Sequence, residues 1–344
     1  MQIRLKNKEV FPLIQGGMGV GISLSNLAGE VALNNCIGTI SAVNVGYREK
    51  DFYKDPIKSN LNALKKEIKK AKEISKGNGL IAVNIMTAIN DFEKFVKTAS
   101  DEDVDLIICG AGLPLNLPEY VKEDTLIAPI VSSARAFNLI AKTWMKKYNR
   151  LPDLVIVEGP LAGGHLGFKE KDLDLELSEI VKEVKKSVEV FENEYDKKIY
   201  IFAAGGIRNK FDRESVINSG ADGIQVGTPF IATYQCDASL SFKETIINSS
   251  DSDIKIINSP VGMIARAIDN DFIKKTKDRI PSRRCINCLK TCNPSTTPYC
   301  IKDALNDSAS GAMGLVFSGS NINSINSLKD VKEVIDSLME EIWK

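Results

Sequence analysis

Histidine is almost missing from this chain: among 344 residues there is one, His165. Any chemistry that needs an imidazole must use that position. Net charge is missing too, with 45 Lys and Arg against 45 Asp and Glu, so no overall field draws the chain toward nucleic acid or an anionic membrane surface. No apolar run approaches the roughly 18 residues of a membrane span. The opening stretch MQIRLKNKEVFPLIQGG lacks the apolar core of a signal peptide. These absences lead us to expect a cytoplasmic protein with neither nucleic-acid nor membrane partners. Cysteine occurs an odd number of times, seven. Cys36 and Cys109 sit in strand-like apolar runs, which suits reduced buried thiols better than a disulfide framework.

What the chain does have is rhythm. Short apolar runs are expected as strands at Phe11–Gln15, Cys36–Val45 (strand and following loop), Gly79–Met86, Val104–Cys109, Thr125–Val131, Asp153–Val157, Lys198–Ala203 and Ala221–Val226. Most are followed by segments with helical spacing: Leu24–Asn34, Pro56–Ser75, Asp91–Ala99, a stretch holding Phe137, Ile140 and Trp144 behind the capping candidates Ser132 and Ser133, and Leu177–Glu194. This alternation predicts an α/β fold of the TIM (β/α)8 barrel type, with a doubly wound open sheet as the alternative. After Gln235 the rhythm breaks. We expect a barrel over residues 1–239, a lid-like excursion with a cysteine-rich loop over residues 240–323, and a C-terminal helical segment over residues 324–344, its amphipathic part at Leu328–Trp343, packing back on the barrel.

In such a barrel the active site lies at the C-terminal ends of the strands, and loops after strands seven and eight often hold a phosphate. Here those loops are AAGGIRN and QVGTPF. Gly205, Gly206 and Gly227 can offer bare backbone N–H groups and Thr228 a hydroxyl, although each glycine alone could equally be an ordinary tight turn. Other strand ends supply Gln15 to Met18, Asn84, and the loop EGPLAGGHLG at residues 158–167, which carries His165 between Gly163, Gly164 and Gly167. Asn84 can hydrogen-bond a heterocycle's edge or cap a helix. His165 can move protons beside a flat ligand or serve as a hydrogen-bonded core residue.

The segments PLIQGGMGVGIS, EGPLAGGHLG, AAGGIRN, GADGIQVGTPFIAT and SPVG together resemble the FMN-dependent nitronate monooxygenase family, across most of residues 10–265. They are also similar to the FMN-dependent enoyl-acyl carrier protein reductases, which use a nicotinamide cofactor. The resemblance implies a non-covalent FMN, its phosphate against Gly205, Gly206, Gly227 and Thr228, with Gln225 in the same loop, and its ring against Gly17, Met18, Asn84, Gly163 and Gly164. It implies that His165 removes the α-proton of a nitroalkane, with O2 completing conversion of a nitronate to a carbonyl compound and nitrite. The alternative it carries is an NAD(P)H-dependent reductase of an enoyl thioester or quinone. Either way the partners are small molecules, and a homo-oligomer is compatible with both. An unperturbed imidazole, with a pKa of about 6.5, is largely neutral and proton-accepting at cytoplasmic pH.

One feature lies outside that family's usual motifs. Cys285, Cys288, Cys292 and Cys300 form a C-x2-C-x3-C-x7-C series. Four thiolates at such spacing can hold zinc or an iron-sulfur cluster, or they can be reduced thiols of a lid without metal, which is the expectation adopted here. Arg283 and Arg284 just before them could meet an anionic ligand or simply be exposed charge.

Overall fold

The computed structural model of the protein describes residues 2–340. The chain opens with a hairpin of β1 (Ile3–Leu5) and β2 (Lys8–Val10), whose two turn residues, Lys6 and Asn7, both take positive φ. That geometry matches the twist of the flanking strands. Then follow β3 (Leu13–Gln15), α1 (Ser25–Leu33), β4 (Ile37–Ser41), α2 (Pro56–Ser75), β5 (Leu80–Met86), α3 (Phe92–Asp101), β6 (Leu106–Gly110), β7 (Leu126–Val131), α4 (Ala134–Tyr148) and β8 (Leu154–Glu158). A two-residue strand β9 (Gly164–His165) precedes α5 (Leu177–Tyr195), β10 (Tyr200–Ala204), α6 (Lys210–Asn218), β11 (Gly223–Val226) and the single turn α7 (Thr228–Ile231).

Eight of these strands close on themselves in the order β10-β11-β3-β4-β5-β6-β7-β8. The architecture is the expected TIM barrel, not an open sheet. Period-two alternation sorts the side chains. Ile14, Ile37, Ala82, Ile108, Ile156 and Phe202 fill the barrel interior, where the hairpin residues Ile3, Leu5 and Val10 join the same cluster and plug the bottom. Their strand neighbours Val83, Ile107, Val155 and Ile201 face outward and meet the apolar stripes of the helices, including Val96, Ile140, Trp144 and Val184.

The strands are held in register at the bottom by a repeated device. An aspartate just before one strand accepts the backbone N–H near the start of the preceding strand: Asp105 from Ile81 at 2.9 Å, Asp153 from Ile127 at 2.9 Å and Asp222 from Ile201 at 2.8 Å. Each carboxylate takes a donor that the parallel ladder leaves over. Helix starts are also signalled locally. Asp55 caps α2 and Ser133 caps α4, whereas Ser132 turns away and donates to Gly167 O at 3.2 Å.

Beyond α7 lie α8 (Leu240–Ile247), β12 (Ile254–Asn258), β13 (Ile264–Ile268), α9 (Asp271–Lys275), α10 (Ile301–Ala309) and α11 (Val331–Met339). β12, β13 and β9 form a small antiparallel sheet. α11 packs against α1 and α6. It starts later than the expected Leu328, and the expected end at Trp343 lies outside the described residues. Among those residues no helix is long and apolar enough to cross a membrane.

Asp153 also lies 2.8 Å from Lys197 Nζ. We expect Asp153→Ala to destabilise the fold by about 2 kcal/mol, the usual range for a hydrogen bond to a charged group. Asp153→Asn, which keeps an acceptor, should cost less. Urea unfolding of the two variants checks the order, and equal losses would mean that the acceptor is not what matters.

Candidate active site

A cavity of about 460 Å³ opens at the C-terminal ends of the barrel strands. Gly17, Met18, Asn84, Gly163, Gly164, His165, Gly205, Gly206, Gln225, Gly227 and Thr228 all line it. Residues far apart in the chain are therefore brought to one place.

The floor follows from strand alternation. Ala82 and Ile156 point into the barrel, so Asn84 and Glu158, two residues on, also face inward, Glu158 as the last residue of β8; Gln225 pairs in register with inward-facing Ile14. The apolar interior thus ends in a polar layer. Gln225 Oε1 and, beside this layer, Thr39 Oγ1 are buried without hydrogen-bond partners. Orphaned acceptors of this kind are costly unless a ligand meets them. Gln15, by contrast, is fully used: its amide accepts from Thr39 N at 3.0 Å and donates to Ser23 Oγ at 2.9 Å and to Gly16 O. Ser23 Oγ in turn accepts Met18 N–H at 3.0 Å, which fixes the Gly16–Met18 loop along one side of the cavity.

The walls need residues without side chains. A Cβ on Gly17 would lie 2.4 Å from Asn84 Cβ, and one on Gly163 would lie 2.5 Å from Gly319 N and Ser318 C. Gly205 and Gly206 have φ of +95° and +85°, conformations that side-chain-bearing residues rarely adopt. Gly319 N–H donates to Thr228 Oγ1 at 3.0 Å, leaving the hydroxyl's own proton free for another acceptor.

His165 stands at the cavity side on β9, paired with Ala265 of β13. Its Nε2 is 2.7 Å from Ser259 Oγ, and Phe317 meets the ring edge-on at 5.2 Å between centroids. Burial lowers its pKa to about 4. The imidazole is therefore neutral, as expected, but it is a much weaker base than the unperturbed value suggests, because the interior disfavours the cation. The sign for folding follows. The unfolded chain binds this proton near 6.5 and the folded chain only near 4, so the stability tied to neutral His165 is present above about 6.5 and is lost as pH falls toward 4.

Arg266, on β13 beside Ala265, is buried, and its Nη1 donates to Pro160 O and Ala162 O, both at 2.6 Å. Among the described residues it has no carboxylate partner, and burial lowers its pKa. It holds the loop that leads into Gly163, Gly164 and His165. Arg266, Phe317 and the Ser318–Gly319 backbone were not singled out from sequence, since only tertiary folding brings them here. Glu158, which the sequence places at the start of the EGPLAGGHLG loop with no role, is the last residue of β8. Burial alone raises its pKa to about 7.

The cysteine segment folds over the rim, where Leu289 bridges to Ile89 and Cys288 lines the cavity. All its thiols are free, and among the described residues no group of three or more His, Cys, Asp or Glu side chains is arranged to hold a metal ion. Arg283 pairs with Asp307 at 2.6 Å and Arg284 lies over the Tyr53 ring; neither lines the cavity.

A closed eightfold barrel whose only imidazole stands beside a glycine-walled cavity at the C-terminal rim has the build of a barrel enzyme acting on small molecules. The sequence profile described as nitronate monooxygenase matches residues 3–341, and the chain belongs to the nitronate monooxygenase family of oxidoreductases. It is 25% identical over 292 residues to a probable nitronate monooxygenase of Staphylococcus aureus strain MSSA476, covering 77% of each chain. Among solved structures, FabK from Thermotoga maritima superposes with a TM-score of 0.72 at 23% identity, covering 96% of this chain and 92% of that one. Nitroalkane oxidase from Streptomyces ansochromogenes gives 0.71 at 18% identity, covering 96% and 95%. Both share the fold.

Because the chain has a single histidine, its ring protons can be followed by NMR without assignment. In the ligand-free protein they should titrate with a midpoint near 4. A midpoint between 6 and 7 would show that the ring is solvated and not enclosed between Ser259 and Phe317.

Proposed function

We propose that the protein binds FMN in this cavity and oxidises alkyl nitronates with O2 to carbonyl compounds and nitrite. The observation that carries the proposal is the convergence of glycine walls, the orphaned Gln225 oxygen and the single imidazole on one cavity. Family membership supports the same reaction type.

The residues fit the cofactor. Gln225 Oε1 lacks a donor, and Asn84 beside the Gly17 backbone offers both a donor and an acceptor, which matches a heterocycle edge that carries N–H and C=O groups. Gly17 and Met18 would lie along the ring, with Gly163 and Gly164 on the loop toward His165. Gly205, Gly206, Gly227 and the free proton of Thr228 would hold the phosphate. When bound, FMN supplies the electron acceptor for the substrate and the route of those electrons to O2.

The protein's own part is binding and proton control. In the tautomer with its proton on Nε2, His165 donates to Ser259 Oγ, and Nδ1 keeps a lone pair for the α-proton of a nitroalkane. The same bond steadies the imidazolium that results. Ser259 can accept it because its oxygen, which lies 3.5 Å from Val261 N, carries two lone pairs. A base held near 4 is poorly matched to a neutral nitroalkane, so the preferred substrate is the nitronate, already deprotonated. Phe317 and the apolar rim residues Val261, Met263 and Leu289 keep water from the reacting carbon.

Anaerobic addition of an alkyl nitronate to the FMN-loaded protein should bleach the flavin, and NADH should not. Rapid bleaching by NADH with no response to nitronate would instead select an enoyl- or quinone-reducing enzyme. His165→Asn should reduce kcat/KM on neutral nitroalkanes about 100-fold, the low end of a general base's contribution as suits so weak a base, with a smaller effect on preformed nitronates. Equal losses on both substrates would remove His165 from the role of base.

A further inference from the structure

The mechanism leaves Glu158 unused. It ends β8 as an inward-facing side chain and lines the cavity floor, level with Gln225 across Ala204, whose backbone pairs in register with both. Among the described residues its carboxyl has no hydrogen bond and no ion pair. It is half-buried, with part of its surface open to the cavity.

The groups around it offer no compensation. The flanking strands present Ile130 and Val131 on β7 and Ala203 and Ala204 on β10, and α5 meets the outer side of β8. The titratable groups that share the cavity are His165 on β9, Arg208 after β10, Cys288 at the rim and Lys302 on α10. Arg208 is bound to Asp212 at 2.8 Å, and Lys302 forms a close ion pair with Asp303. Arg266 of β13 spends its Nη1 on the carbonyls of Pro160 and Ala162. A carboxylate with neither cation nor donor, in a low-dielectric site, returns to its neutral form.

A neutral carboxyl is a hydrogen-bond donor, and on the same floor, one strand beyond Ala204, stands an orphaned acceptor, Gln225 Oε1. Donor and acceptor together match a ring edge that alternates C=O or bare ring nitrogen with N–H. We propose that Glu158 acts as a protonated carboxylic acid that donates a hydrogen bond to an acceptor on the bound flavin ring, so that tight binding requires one proton on this side chain. The proposal rests on FMN being the ligand. Glu158 is thereby a binding residue, distinct from the proton-accepting role given to His165. Burial raises its pKa to about 7, so the proton is in place below that value and is lost as pH rises through it. Ionisation then removes a donor and sets a negative charge against the ligand's acceptor edge.

The test uses flavin-free full-length protein and fluorescence titration with riboflavin, which lacks the phosphate that itself titrates near pH 6, with FMN in parallel. For the native protein, Kd for riboflavin should rise at least tenfold between pH 6 and pH 9. Glu158→Gln, whose amide donates at every pH, should hold Kd within about twofold over the same range. Equal pH dependence in the two proteins, or a flat native curve, overturns the proposal. Infrared spectra of the ligand-free native protein supply a measurement that needs no variant. A carboxylic-acid C=O band should disappear with rising pH at a midpoint that coincides with the onset of the rise in Kd, and the absence of that band, or a separate midpoint, also overturns it. Failure of both flavins to bind at any pH would sink the FMN reading, and the infrared band would then decide alone whether Glu158 is a neutral acid.

Discussion

The guanidinium of Arg266 joins two structures that would otherwise have no reason to stay aligned. The barrel ends at Glu158, and the small antiparallel sheet carries His165. Between them run a few residues with little side chain to pack, and Arg266 fastens the carbonyls of Pro160 and Ala162 from the neighbouring strand. A buried cation without a counter-ion is expensive, and one that satisfies two backbone acceptors recovers part of that cost. The position of the imidazole relative to the barrel floor is thus set by a residue that does not itself line the cavity.

The same enclosure acts with opposite sign on two ionisable side chains that line the cavity. It depresses His165 and raises Glu158, in both cases because the charged form is the one the interior rejects. The ligand-free site is therefore close to uncharged over a wide pH interval. Charge in the assembled site comes chiefly from what binds, and the neutral polar groups on the floor are already arranged to meet it without reorganising.

The barrel was legible because its signal is local and repeated: an apolar run of four to six residues, a glycine, then a helical stripe. Strand ends were misjudged by a residue or two where a non-pairing residue such as Pro12 extended the apolar run. The N-terminal hairpin and β9, β12 and β13 went unnoticed, since two- to five-residue strands carry too little alternation to stand out. Of the cavity lining, residues on strand ends and glycine loops were legible because barrel geometry places all strand ends on one rim. Phe317, Ser318, Gly319 and Arg266 were not, because their part depends on the approach of distant backbone, such as Gly163 against Ser318 and Gly319. The imidazole's identity was evident from its uniqueness. Its weakened basicity was not, because desolvation is a property of the folded surroundings.

The contact of Gly163 with Ser318 and Gly319, and the presence of residues 317–322 and 16–19 around one cavity, bear on the order of events during biosynthesis. The pocket draws its lining from stretches far apart in the sequence. On the ribosome, the barrel strands, all made by Val226, precede residues 317–322, so the pocket lacks that side until those later residues have been added.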